Sequence, residues 1–219
     1  MNMAAAPAQY RTYFLGDSCL CASLGNSIER LTALQILSVY RRLQADKDLH
    51  PLGIHDLVPS YTALAVHGEP WSDWQKIRRL LDDHFKNLPV MESELRQGMQ
   101  RHVLPVSYQG EDLPRVAQWN GITVPEVIER HAAVEYMVAM IGFRPHFPYL
   151  LGLDRRLITP RLDTPRLKVP AGAVAIGGEQ TGVYPEISPG GWNIVGLTDP
   201  RLLPAIRPGD TIVFRRQPL

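Results

Sequence analysis

Between Asp154 and Lys168 the chain sets Arg155, Arg156, Arg161, Arg166 and Lys168 against only Asp154 and Asp163. The tetrapeptide Thr-Pro-Arg-Leu occurs twice in this stretch, at 159–162 and 164–167. Proline narrows the backbone each time, so both arginines sit on stiff, extended segments. A guanidinium presents a planar fork that matches carboxylate and phosphate oxygens, whereas lysine offers a compact point charge. In extended backbone, residues 166 and 168 point to the same side. Arg166 and Lys168 are therefore expected to form an anion pocket, with a solvated basic loop as the plainer alternative.

Two neighbouring stretches supply material for pocket walls. Gly142-Phe143-Arg144-Pro145-His146-Phe147-Pro148-Tyr149 packs three aromatics, two prolines and a histidine into eight residues. Tyr184-Pro185-Glu186-Ile187-Ser188-Pro189-Gly190-Gly191-Trp192 has the same character. Aromatic rings held by proline and glycine suit the walls of a ligand cavity, and they serve equally in an irregular core.

Other chemistries lack their motifs. Gly177-Gly178-Glu179-Gln180-Thr181-Gly182 is glycine-rich but carries no Walker lysine, and no helical pattern follows it. No His-Glu-x-x-His and no Gly-x-Ser-x-Gly elbow occurs. Cys19 and Cys21 flank Leu20 on one face of a strand and read as buried free thiols. His55, His67 and His84 have no metal-ligand spacing and read as structural or surface residues. With 23 basic and 22 acidic residues in 219, the chain has no basic field for a polyanion. Without a secretory leader pattern or an apolar run long enough to span a bilayer, a cytoplasmic protein is expected. No cofactor bound by this chain is expected.

The elements that hold these residues fall into two differently built halves. Of 19 prolines, 13 lie in residues 110–219, as do 12 of the 17 glycines. In the first half, residues 10–15 and 19–24 predict strands. Ser27 is the expected N-cap of a helix with Ile28, Leu31, Leu34, Leu37, Tyr40 and Leu43 as its apolar stripe. Strands follow at Ile54–Val58 and Ala63–Val66. A Ser72-x-x-Gln75 capping box then opens a helix through Trp74, Ile77, Leu81, Phe85 and Leu88, stopped by Pro89. His102–Tyr108 predicts one more strand. This order suggests an α+β, ferredoxin-like layer over residues 1–104.

Residues 105–219 open with a helix over Asp112–Asn120 ended by Gly121, and a second capped by Thr123 with Pro125 in its first turn. Strands are expected at Tyr136–Phe143, Ala173–Ile176, Trp192–Leu197 and Thr211–Arg215. Short strands with frequent turns favour a compact β-barrel or sandwich.

Several ordered motifs resemble the KipI family, also called allophanate hydrolase subunit 1. They are Gly142-Phe143-x-Pro145-x-Phe147-Pro148-Tyr149, Thr164-Pro165-Arg166-x-Lys168-Val169-Pro170-Ala171-Gly172, Gln180-Thr181-Gly182-Val183-Tyr184-Pro185 and Ser188-Pro189-Gly190-Gly191-Trp192. The likeness is densest over residues 131–198. It implies a ferredoxin-like N-terminal domain and a cyclophilin-like β-barrel C-terminal domain. It also implies the role of the B subunit in an ATP-dependent 5-oxoprolinase, a hydrolase that converts 5-oxo-L-proline to L-glutamate together with subunits A and C. The isolated chain would then be inactive. A KipI-like regulator of a sensor histidine kinase, or a subunit acting on urea, allophanate or another small amide, is the alternative.

Matching the motifs implies a site built from His131, Phe143, Tyr149, Arg166, Lys168, Gln180, Tyr184, Ser188 and Trp192. Arg166 and Lys168 would stabilise negative charge. Gln180 and Ser188 would hydrogen-bond a lactam, Phe143, Tyr184 and Trp192 would wall its ring, and Tyr149 would also bind substrate. His131 would be the general base. The chain departs from the family pattern at His146, where glycine is usual, and in shorter stretches after Tyr108 and over Thr198–Pro208.

Overall fold

The computed structural model describes residues 10–47, 49–86, 88 and 96–218. They divide into two compact units, Met1–Gly98 and Met99–Leu219. Pro89, expected to end a helix, lies outside the described residues.

The first unit is a four-stranded antiparallel sheet of β1 (Arg11–Phe14), β2 (Cys19–Ser23), β3 (Ile54–Pro59) and β4 (Ala63–Gly68), in the order β1-β2-β4-β3. Alternation along the strands turns Leu20, Ala22, Leu64 and Val66 onto one face. There they join Ile36, Val39 and Leu43 of α1 (Arg30–Ala45) and Ile77, Leu81 and Phe85 of α2 (Trp74–Lys86) in one core. Cys19 and Cys21 are buried free thiols with sulfurs 4.0 Å apart, as their spacing predicts.

Both expected caps of this unit are replaced by neighbours. Ser27 Oγ donates to Glu29 Oε1 at 2.9 Å, and α1 starts at Arg30 with Glu29 in the capping position. Ile28 and Leu31 consequently stay exposed. At α2, Asp73 Oδ1 accepts the Lys76 backbone N–H at 3.0 Å, while Ser72 Oγ donates to the Gly53 carbonyl. A carboxylate one residue nearer the helix makes the stronger cap.

The strand predicted at His102–Tyr108 does not complete this sheet. As β5 (Arg101–Val106) it runs parallel to β13 (Thr211–Arg216) in the second unit. The boundary between units therefore falls after Gly98, not between 104 and 105.

The second unit contains β6 (Glu135–Ile141), β7 (Pro148–Leu151), β8 (Arg166–Val169), β9 (Ala173–Gly177), β10 (Gln180–Val183), β11 (Ser188–Gly190) and β12 (Asn193–Leu197). Seven strands form one sheet in the order β12-β9-β10-β7-β6-β13-β5. Its two ends meet. Ser107 and Leu197 exchange backbone hydrogen bonds of 2.9 and 3.0 Å, and Gly110 N–H reaches the Val195 carbonyl at 3.2 Å. The sheet is thus a nearly closed barrel, which leaves little unpaired edge. Its interior holds Val138, Leu150, Val174, Ile176, Val195, Ile212 and Phe214. Helices α3 (Leu113–Asn120) and α4 (Val124–Ala132) add Leu113, Val116, Val127 and Ile128 to that core. Gly121 closes α3 in the left-handed region and Thr123 Oγ1 caps α4, both as expected. Strands β8 and β11 pair separately, beside the barrel sheet. No helix among the described residues is long and apolar enough to cross a membrane.

The seam depends on glycine. A Cβ on Gly110 would fall on the backbone of Ile194 and Val195, which has no room to yield. G110A is expected to destabilise the protein by about 3 kcal/mol, read as a lower urea midpoint. G178A, at φ +64° but with open space around it, should cost only about 1 kcal/mol.

Candidate functional site

The side of the barrel made by β12, β9, β10 and β7 is covered on both faces. Val174, Ile176, Leu150 and Val195 point inward, whereas Ala173, Ala175, Tyr149 and Ile194 point to a second cluster outside. Strands buried on both faces carry continuous apolar runs, which explains Ala173-Val174-Ala175-Ile176. The outward residues of β9 are alanines, and their small size leaves room for rings above them.

Phe147 is the hub of those rings. It meets Tyr149, Tyr184, Trp192 and Phe143 at centroid distances of 4.9, 5.1, 5.6 and 5.5 Å, mostly edge to face. Glycines seat the rings. A Cβ on Gly177 would lie 2.5 Å from the Trp192 indole, and one on Gly190 would strike the Tyr184 phenol. Together with Arg161, Pro165, Pro189 and Gly191, these rings enclose a cavity of about 220 Å³. That is below the roughly 300–1,000 Å³ of clefts for drug-sized ligands and suits a smaller molecule.

The loop forming one wall is strained. Phe143 and His146 both adopt left-handed backbone, at φ 66° and 69°. Such values are uncommon outside glycine, and for a bulky aromatic they mark a genuine outlier. Glycine at 146 would fit the left-handed conformation without that cost.

Of the residues expected to form a site, Phe143, Tyr149, Tyr184 and Trp192 line this cavity. Gln180 of β10 pairs with Gly177 of β9, one residue before the inward-facing Thr181, which puts it on the cavity face of the sheet. Ser188 is only 3% exposed and its Oγ has no hydrogen-bond partner. The other three are placed differently.

His131 lies inside the barrel, fully buried. Thr181 Oγ1 donates to the Ala175 carbonyl at 3.0 Å, so it must accept from His131 Nε2–H at 3.0 Å. Nδ1 then accepts from the Tyr108 hydroxyl at 2.8 Å. The ring also stacks on Phe214. Burial pushes the imidazole down to about 3 and the Tyr108 phenol up. A neutral ring with both nitrogens engaged in the core is a packing element, and the general-base role expected for it does not fit this position.

Arg166 and Lys168 do not share a side. Ser188 pairs with Val169 and Gly190 with Arg166, so three steps along β8 oppose two along β11 and the register slips. This bulge turns Arg166 and Val169 inward together and leaves Leu167 and Lys168 in solvent. Arg166 Nη2 donates to Asp112 Oδ1 at 2.8 Å, and its Nε lies 3.0 Å from Glu111 Oε1. The other Asp112 oxygen accepts the Ile194 backbone N–H at 2.7 Å. Two carboxylates thus neutralise the arginine expected to bind an anion.

The cation at the cavity is Arg161, from the first of the two Thr-Pro-Arg-Leu repeats. Its Cζ lies 5.8 Å from the Trp192 ring centroid. The sequence pattern groups Arg161 with a basic loop and leaves Phe147 inside a motif without a role. The signal available for Arg161 is the repeat itself, which offers two equivalent arginines and no local means of choosing between them. Among the described residues no three His, Cys, Asp or Glu side chains group to hold a metal ion.

Residues 10–208 match the family of carboxyltransferase domains, subdomains C and D. The 5-oxoprolinase B subunit of Haemophilus influenzae is 36% identical over 214 residues, spanning 91% of this chain and 94% of that one. Its Bacillus subtilis namesake is 32% identical over 227 residues, spanning 95% and 93%. The crystal structure of TTHA0988 superposes with a TM-score of 0.76 at 31% identity, covering 96% of this chain and 40% of that longer one. The Kluyveromyces lactis urea carboxylase shares the fold, with a TM-score of 0.69 at 16% identity over 99% of this chain and 23% of that one.

Two outcomes test these placements. Arg166→Met leaves Asp112 buried without its cation and should cost about 3 kcal/mol in urea unfolding, whereas Lys168→Met should stay within about 0.5 kcal/mol. For His131, the folded-state value lies below the unfolded one of about 6.5, so the unfolded chain binds the extra proton. Stability is then expected to fall by about 2 kcal/mol from pH 7 to pH 5 through this residue. H131Q, though less stable at pH 7, should lose that component of the acid limb.

Proposed function

The chain belongs to the family of carboxyltransferase domains, subdomains C and D, and from that premise we propose that it is the B subunit of an ATP-dependent 5-oxoprolinase. In this reading water opens the lactam C–N bond of 5-oxo-L-proline to give L-glutamate, in a cytoplasmic complex with subunits A and C. The KipI-type family name, a ferredoxin-like first domain and a cyclophilin-like second domain belong to the same reading. The supporting observation is the aromatic cavity on the barrel's outer face, in a chain aligned almost end to end with proteins named as the B subunit of 5-oxoprolinase.

The cavity's chemistry suits a compact ring. Phe147, Tyr149 and Trp192 offer flat apolar faces and ring edges that exclude water from a bound lactam. Tyr184 packs edge to face against Phe147 at 5.1 Å, which orients it beside those rings. The glycine-rich stretch from Gly177 to Gly182 runs through the β9–β10 hairpin, with backbone pairing of Gly177 to Gln180, instead of opening a helix. The ATP-dependent step is assigned to another subunit, and the isolated chain is inactive.

The test is co-production with the cognate A and C subunits and measurement of L-glutamate release from 5-oxo-L-proline with and without ATP, with urea and allophanate offered in parallel. ATP-dependent glutamate release is the expected result. No glutamate with all three subunits assembled would overturn the assignment. Within an active complex, Trp192→Ala should lower kcat/KM by roughly 100-fold through loss of ring positioning.

A further inference from the structure

We propose that Arg161 is the carboxylate clamp of this cavity and makes it selective for small ring compounds that carry a carboxylate. The inference deepens the 5-oxoprolinase reading and rests on it for the identity of the ring.

The first argument is the charge inventory around the cavity. Arg166 is charge-neutralised by Asp112 and Glu111 through Nη2 and Nε, which leaves only its buried Nη1 without a partner. Arg115 donates to the Pro160 carbonyl and to Asn193 Oδ1. Arg144, over Phe143, pairs with Glu186 at 3.6 Å. Among the described residues Arg161 has no acidic partner, and its guanidinium lines the cavity beside Trp192. An anion entering the cavity therefore meets a cation whose fork is not already occupied.

The second argument is preorganisation. Thr159 pairs with Gly178 through backbone hydrogen bonds in both directions. The Pro160 carbonyl accepts from both Arg115 and Asn193, at 3.1 and 3.0 Å. Leu162 N–H donates to the Gly191 carbonyl at 2.7 Å. The backbone on either side of Arg161 is thus tied to the cavity walls while its side chain stays exposed. The backbone needs little further ordering when the side chain binds, so only the rotamers of Arg161 itself remain to be fixed. Its charge also reaches the phenol of Tyr149 and, together with that of Arg166, the phenol of Tyr184, where it opposes the upward push of burial. A carboxylate at this point would lie between a guanidinium and two phenols, with its ring against the aromatic wall.

Binding of three probes to the full chain, measured by ligand-observed NMR, separates the possibilities. They are 5-oxo-L-proline, its carboxylate-free counterpart 2-pyrrolidinone, and cyclopentanecarboxylate, which keeps the carboxylate but has no lactam. The wild type should bind 5-oxo-L-proline roughly 10- to 100-fold more tightly than 2-pyrrolidinone. R161M should abolish that preference with an unchanged thermal midpoint, and R161K should recover part of it. A preference retained in R161M, or absent in the wild type, would overturn the clamp. Wild-type binding of cyclopentanecarboxylate at least as tight as that of 5-oxo-L-proline, with the preference lost in R161M, would uphold the clamp and count against the lactam reading.

Discussion

The second unit is organised around one buried carboxylate. Asp112 stands at the start of α3, yet its side chain makes no helix cap. One oxygen takes the backbone N–H of Ile194 on β12 and the other takes the guanidinium of Arg166 on β8. A charge this deeply buried is tolerable only when it is paired and hydrogen-bonded. Meeting that requirement joins a helix, a barrel strand and the separate β8–β11 ribbon at one point. The ribbon carries Pro189 and Gly190, so the same ion pair sets one wall of the cavity.

That constraint also divides the labour between two arginines in identical tetrapeptides. Arg166 neutralises Asp112 through Nη2 and lies beside Glu111 through Nε, and Arg161 is left at the cavity without an acidic partner among the described residues. The bulge in β8 belongs to the same arrangement, because it turns Arg166 inward with Val169 and leaves Lys168 in solvent. Within one basic stretch, Arg166 is thus a structural cation, Lys168 is exposed and Arg161 lines the cavity.

The barrel wall beneath the cavity serves two packing surfaces. Branched residues fill its interior, and alanines and glycines on the outside let aromatic rings lie close to the backbone. Interiors pack at crystal-like density, so ring positions on the outer face follow from the backbone that supports them. His131, Thr181 and the Ala175 carbonyl form a hydrogen-bonded chain across the inner side of this wall. A histidine that looks like a catalytic candidate in the motif pattern instead satisfies the polar groups of the core.

Local chemistry was legible in the sequence wherever neighbours in the chain decide it. The Thr123 cap, the Gly121 helix end, the stripe of α2 and most barrel strands depend on residues within one or two turns. The aromatic walls were legible for the same reason, since proline and glycine mark the loops that present them. What depended on distant partners was not. Ser72 had a competing hydrogen bond to Gly53, the strand at 101–106 joined a sheet whose other members come later in the chain, and the shared side expected for Arg166 and Lys168 was lost to a register slip against β11. The sequence alone determined where basic, aromatic and proline-rich residues concentrate in the chain. Only the tertiary structure decided which arginine the site keeps, because that choice is made by a buried carboxylate 54 residues from Arg166.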